Sequence, residues 1–338
     1  MSSISLCMIV CNEADILARC LDSLADLMDE IIIVDTGSTD ETRQIAARYT
    51  EKVFDFTWID DFAAARNFAF AKAGCDYIYT ADADEVLDET NRLRFTQLKN
   101  DLNGEVEIVQ MYYVNQLRHG TVYNFDRELR PKLFKRVRDF TWIDPIHETI
   151  RLDPVILDAD IEIIHLPKGS HAARDLHIFG EMTAAGKPLS KRLFGLYARE
   201  LFIVGSDGDF GRAEAYFEKA MAETTDLDQI KEAACVVARA ARLRGDVAKF
   251  FKFALKDIGS EGCSEMCCEL GEYYRSQDDI LEAIVWFYNA AFETVSILNI
   301  ECSGQIPLTA LADCYQALDI PVEAAEYRNL AAEWKRPN

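Results

Sequence analysis

The chain has 338 residues, 49% of them hydrophobic, enough to bury one large core or two ordinary ones, so a single small module is excluded. Lys and Arg number 36 against 58 Asp and Glu, and the resulting charge of −22 repels polyanions and argues against a nucleic-acid partner. With 28% charged and 11% aromatic residues the composition is that of a globular protein, not of a disordered one.

The N-terminus runs directly into the apolar stretch Ile4–Val10, without a basic leader, and no segment offers the ~18 consecutive apolar residues of a membrane span. A cytoplasmic protein is expected. Its ten cysteines lie mostly in apolar periodic segments, where a thiol packs as a small hydrophobe, as suits a reducing compartment. Cys263, Cys267 and Cys268 lack the paired C-x-x-C spacing of a zinc site and read as core.

Up to about Lys187, short apolar runs alternate with amphipathic stretches. The order is Ile4–Val10, Ile16–Leu27, Glu30–Val34, Asp40–Arg48, Val53–Phe56, Phe62–Ala73 and Tyr77–Ala81. This βαβαβαβ pattern predicts an α/β domain with a largely parallel sheet whose ligands sit beyond the carboxyl ends of the strands. From Glu105 to His165 the text is strand-rich (Val106–Tyr113, Val122–Phe125, Lys132–Phe134, Ile161–Ile164), which predicts an antiparallel extension and hence a mixed sheet. After Lys187-Pro188 only helical patterns remain, with second helices beginning near Asp209, Asp246, Asp279 and Pro321. Three carry related strings containing Ala213, Ala283 and Ala324, small residues that let paired helices approach closely. The pattern resembles degenerate tetratricopeptide repeats, and it divides the chain into residues 1–188 (α/β) and 189–338 (all-α).

The chemistry-bearing residues cluster at predicted strand ends. The first strand ends in Asn12-Glu13, with Asp15 as a cap-like residue before the next helix. The second ends in Asp35-Thr36-Gly37-Ser38-Thr39-Asp40-Glu41, where Ser38 and Glu41 match a capping box. Asp35 can there accept hydrogen bonds from a ribose or base, or simply close an Asx turn. The fourth delivers Asp82-Ala83-Asp84-Glu85; on extended chain, Asp82 and Asp84 face one side and can reach one hard cation, although a solvated acidic turn reads the same way.

Taken together, Cys7-Met8-Ile9-Val10-Cys11-Asn12-Glu13, Asp29–Asp40, Ala64-Ala65-Arg66-Asn67 and Ala81-Asp82-Ala83-Asp84-Glu85 resemble, in order and spacing, a family 2 glycosyltransferase of the GT-A fold. Many members of that branch have Lys where Cys11 stands. With the helical repeats, the whole is similar to bacterial peptide glycosyltransferases of the sublancin S-glycosyltransferase type. The resemblance implies that Asn12, Glu13 and Asp35 hold the nucleoside of a donor such as a UDP-sugar. It implies Arg66 and Asn67 beside the donor, Asp82 on ribose or sugar hydroxyls, and Asp84 as the main ligand of Mn2+ (or Mg2+).

Downstream, Phe140-Thr141-Trp142 precedes Asp144-Pro145-Ile146-His147-Glu148, whose His-Glu pair resembles that of repeat-bearing family members. Glu148 is the first candidate for the base, Asp144 its competitor, and an ordinary ion pair the alternative reading. His165 resembles a late histidine ligand of GT-A enzymes; imidazole suits Mn2+ better than Mg2+, and His171 or His177 can substitute for it. Lys191 and Arg192, on the first repeat helix, are candidates to close over the diphosphate, though a solvated helix face has the same look.

The function expected is metal-dependent, inverting transfer of a sugar from a nucleotide-diphosphate sugar to an acceptor. The repeat region suggests a protein or peptide acceptor, and a homodimer through it. A glycan or lipid-linked acceptor and a non-catalytic repeat scaffold are the alternatives. A sugar nucleotidyltransferase would need a Gly-rich phosphate loop that Val10-Cys11-Asn12-Glu13-Ala14 does not supply.

Overall fold

The computed structural model describes residues 2–102, 104–114, 127–136, 142–150, 155–167, 172–258 and 262–335. The chain forms two compact units, residues 1–170 and 171–338. The division falls earlier than the 188 expected from Lys187-Pro188, because the helix before that dipeptide packs with the helices after it: Phe179 stacks on Tyr197 at 4.8 Å.

In the first unit the elements are β1 (Ile4–Val10), α1 (Leu17–Leu24), β2 (Glu30–Asp35), α2 (Thr42–Ala46), β3 (Val53–Asp55), α3 (Phe62–Phe70), β4 (Tyr77–Thr80), β5 (Glu85–Val86) and α4 (Glu89–Asp101). They continue with β6 (Ile108–Val114), β7 (Glu128–Lys135), β8 (Trp142–Ile143), β9 (Thr149–Ile150) and β10 (Ile156–His165). Eight strands form one sheet in the order β3-β2-β1-β4-β7-β6-β10-β5, and β8 and β9 make a separate small hairpin. The first four strands are parallel, and β7 runs antiparallel to both β4 and β6, giving the expected mixed sheet. The chain winds outward from β1 to β3 and returns to place β4 on the other side of β1. Between β1 and β4 lies the switch point at which such sheets open a crevice.

Side chains alternate between two cores, as the twofold period of a strand requires. Ile4, Leu6, Met8 and Val10 of β1 pack with Leu17 and Leu21 of α1 and Phe95 of α4. Cys7, with Ile32 and Val34 of β2, packs with Ala63, Ala69 and Phe70 of α3 and with Trp142.

Two expected caps are absent. Helix α1 begins at Leu17 with Ile16, not Asp15, in the N-cap position and no side-chain cap hydrogen bond from it. The proposed capping box fails because Ser38 Oγ instead accepts from the Asn12 N–H at 2.9 Å, while Asp40 takes the Thr42 N–H at 2.9 Å. Strand Val122–Phe125 lies outside the described residues.

The second unit is helical: α5 (Ala172–Ala184), α6 (Lys191–Val204), α7 (Asp207–Glu223), α8 (Leu227–Arg244), α9 (Val247–Ile258), α10 (Ser264–Ser276), α11 (Ile280–Tyr288), α12 (Gln305–Ala317) and α13 (Pro321–Glu333). The expected second helices are α7, α9, α11 and α13, and Ala213, Ala283 and Ala324 are fully buried in three of them. At Gly271 of α10 two helices approach closely: a Cβ there would come within 2.6 Å of the Phe287 ring of α11. Local signals set the helix ends, among them a capping box between Ser206 and Asp209 and a left-handed Gly245 (φ 79°) after α8. Cys263, Cys267 and Cys268 are buried core residues, as expected. Among the described residues, no helix is long and apolar enough to cross a membrane.

Candidate active site

The loops after β1 and β2 are tied together at the sheet's carboxyl edge. Asn12 sits at φ 58°, in the left-handed region that Asn tolerates, and its Oδ1 accepts the Thr39 N–H at 2.8 Å. The Glu13 N–H donates to Thr42 Oγ1 at 2.7 Å. Asp35 is 5% exposed; its Oδ1 closes an Asx turn by accepting the Gly37 and Ser38 N–H groups at 2.9 and 2.8 Å. Its Oδ2 is buried and meets no hydrogen-bond partner among the described residues. Asp35 therefore shapes the turn with one oxygen and holds the other ready.

Helix α3 delivers the buried cation. Its N-cap Asp61 accepts the Ala64 N–H at 2.9 Å, and Arg66 lies on the buried face one turn later. The Arg66 guanidinium donates to Thr80 Oγ1 and Asp82 Oδ1, both at 2.9 Å, and to Glu148 Oε1, and stands 5.0 Å from the Trp142 ring. Arg66 is thus an interior clamp between the acidic turn and the β8–β9 hairpin, not a surface cation. Desolvation acts to lower its pKa, but Asp82 and Glu148 overcome that and raise it. Asn67 has a framework role: its side-chain amide donates to the Trp142 carbonyl at 3.0 Å and accepts the Trp142 N–H at 2.8 Å. Both ends of the amide are thus engaged by the hairpin, at a residue expected beside the donor.

The acidic motif is a turn, not extended chain: the Glu85 N–H donates to the Asp82 carbonyl at 3.1 Å. Asp82 and Asp84 consequently reach different partners. Close packing would raise the Asp82 carboxyl, yet Arg66, aided by Lys132, holds it well below the usual carboxylate range. Asp84 Oδ2 lies 3.1 Å from His165 Nε2, each side chain 13% exposed, while Asp84 Oδ1 is buried and meets no partner among the described residues. The Tyr113 ring packs against His165 at 5.1 Å and lies beneath Arg130 at 4.0 Å. Glu85 is buried and receives two hydrogen bonds from Lys132 Nζ, at 2.7 and 2.8 Å. Burial pushes its carboxyl up to about 7, against the pull of Lys132 and with the push of Asp82 and Asp84.

A divalent cation fits this arrangement. The donors are a carboxylate with an orphaned oxygen and an adjacent imidazole, a set suited to Mn2+. Asp82 and Glu148 are paired with Arg66 and Glu85 with Lys132, whereas Asp84 lies beside His165.

The β8–β9 hairpin presents Glu148, 14% exposed and ion-paired to Arg66, which is the ion-pair alternative considered for it. Asp144 (φ 70°) and His147 (φ 46°) occupy left-handed conformations in the connection between these strands. His177 is on α5, and Lys191 and Arg192 open α6, all in the helical unit; Lys191 pairs with Asp226 at 2.5 Å. His171 and Phe140-Thr141 lie outside the described residues. Reading the sequence missed Lys132 and Tyr113 and assigned no role to Glu85.

A sheet with this switch point, carrying an acidic turn and a late histidine at its rim, is a GT-A type α/β fold. Residues 5–150 match the family model described as glycosyl transferase family 2. A TPR repeat-containing protein of Synechococcus elongatus is 39% identical over 150 residues, which are 44% of this chain and 36% of that protein. The glycosyltransferase SunS of Bacillus subtilis is 29% identical over 124 residues, 36% of this chain and 29% of that one. The chain thus spans well under half the length of these two curated relatives. Among solved structures, glucosyl-3-phosphoglycerate synthase from Mycobacterium tuberculosis, in complex with Mn2+, UDP and glucosyl-3-phosphoglycerate, is similar at 18% identity and a TM-score of 0.42. That similarity covers 56% of this chain and 82% of the other.

Proposed function

We propose that this protein is a metal-dependent, inverting glycosyltransferase that moves a sugar from a UDP-sugar to a protein or peptide side chain. The carrying observation is the buried Asp84 carboxylate, with one oxygen beside His165 and the other unpartnered among the described residues. Asp84 and His165 would hold Mn2+, which when bound supplies positive charge against the leaving diphosphate. Asn12, Glu13 and the open oxygen of Asp35 bind the nucleoside. Asp82, oriented by Arg66, accepts from sugar or ribose hydroxyls.

Inversion needs one carboxylate on the acceptor side to take the nucleophile's proton. Glu148 has that role, its direction fixed by Arg66, with Asp144 of the same hairpin the alternative base. The helical unit recognises the acceptor; a cleft of about 1010 Å³ that includes Leu176, His177, Phe194 and Tyr216 in its lining supports this reading. Release of UDP from UDP-sugars with Mn2+, abolished in Asp84→Ala, tests the proposal. If the wild type hydrolyses no nucleotide sugar with any divalent cation, the proposal fails and a binding scaffold becomes the better description.

A further inference from the structure

The curled end of the sheet contains a buried pair for which the reaction above has no use. Lys132 lies on β7 and Glu85 on β5, three places apart in the strand order, about 14 Å in a flat sheet at the usual strand spacing. Their atoms nevertheless meet at 2.7 Å, with side chains 7% and 2% exposed. The contact exists because β4, a neighbour of β7, leads through the Asp82–Glu85 turn into β5, which pairs with β10 on the far edge. Glu85 is the direct cross-strand partner of His165 in that two-residue ladder, and the Leu166 N–H donates to the Asp84 carbonyl at 2.8 Å. Four adjacent strands, β7, β6, β10 and β5, therefore contribute Lys132, Tyr113, His165 and Glu85 to one buried cluster behind Asp84.

We propose that Lys132 and Glu85 are a positioning pair: they bolt the short β5 strand across the curl, so that Asp84 and His165 converge on one divalent cation. This rests on the metal reading above. Neither side chain touches substrate; Lys132 also supplies the buried positive charge that lets a third carboxylate stand next to Asp84.

Mn2+ affinity of the full chain, measured from the free-ion EPR signal, tests it. Lys132→Met should bind Mn2+ about 10–100-fold more weakly, the usual effect of removing a group that orients a metal ligand, and Lys132→Arg should restore most of the affinity. Should Lys132→Met not fold, the double variant Glu85→Gln/Lys132→Met replaces it, since it leaves no lone buried charge. A merely structural pair would lower the melting temperature and leave the affinity of the folded variants at the wild-type level. That result, with affinity lost in Asp84→Ala, overturns the positioning role and spares the metal reading. A wild type that binds no Mn2+ overturns both.

Discussion

Replacing Arg66 with Met removes the guanidinium and keeps an unbranched stem on the buried face of α3. The wild-type group makes hydrogen bonds to Thr80, Asp82 and Glu148. Hydrogen bonds to charged groups contribute about 1.5–3 kcal/mol and neutral ones about 1. Glu148, at 14% exposure, keeps the full range, whereas the bond to Asp82, at 43%, is discounted for solvent screening to about 1 kcal/mol. The loss is about 3–5 kcal/mol, in line with removing one member of a buried pair, and lowers the melting temperature by roughly 10–15 °C. The pH dependence supplies an independent check. Packing alone would raise the Asp82 carboxyl, but Arg66 depresses it below its ordinary 3.8. A depressed carboxyl contributes stability above its unfolded value and loses it as pH falls through the folded one. The gap between wild type and variant, followed by calorimetry, should be full at pH 7 and narrow progressively below about pH 4. A loss under about 1 kcal/mol at pH 7, or a gap unchanged at pH 2, would refute the clamp.

Three further outcomes are expected. Burial pushes the Glu232 carboxyl, packed against Gly195, up to about 7 from 4.5. The native state then holds a proton that the unfolded chain has released, so stability declines as pH rises from about 4.5 to about 7. Glu232→Gln should remove about 1–2 kcal/mol of that decline, visible as a higher melting temperature than wild type at pH 8 and near equality at pH 4. Gly271→Ala should cost about 1–3 kcal/mol in denaturant titration, since its Cβ would enter the Phe287 ring; a neutral result would mean that α10 and α11 separate freely. Asp61→Ala should cost about 1 kcal/mol through the lost N-cap of α3, read as a lower unfolding midpoint, whereas Asp61→Ser or Asp61→Asn, which keep a capping oxygen, should recover most of it.

The strands and helices legible in the sequence were those with enough residues to show a period. Runs such as Ile4–Val10 and Glu30–Val34 announce themselves, and Ala213, Ala283 and Ala324 disclose the helix pairs by repetition. What failed was local chemistry with two possible partners. Ser38 could cap α2 or receive Asn12, and the positive φ of Asn12 brings its N–H to Ser38. Asp82 and Asp84 share a face only on extended chain, and the turn sends one to Arg66 and the other to His165. The Glu85–Lys132 pair spans 47 residues and rests on a two-residue strand too short to carry any periodicity. Asn67 shows the converse: a residue in the right motif, used by the framework to hold Trp142.

The place of β10 in the sheet bears on how this protein can be cut. The family match ends at residue 150, but β10 inserts between β6 and β5 and brings His165 with it. A fragment stopped at the match would leave β6 with an unpaired ladder edge, an invitation to intermolecular strand addition, and would discard half of the candidate ligand pair. Expression of the first unit alone should therefore yield soluble material when truncated at residue 170 and aggregates when truncated at 150, whatever the solubility of the helical half.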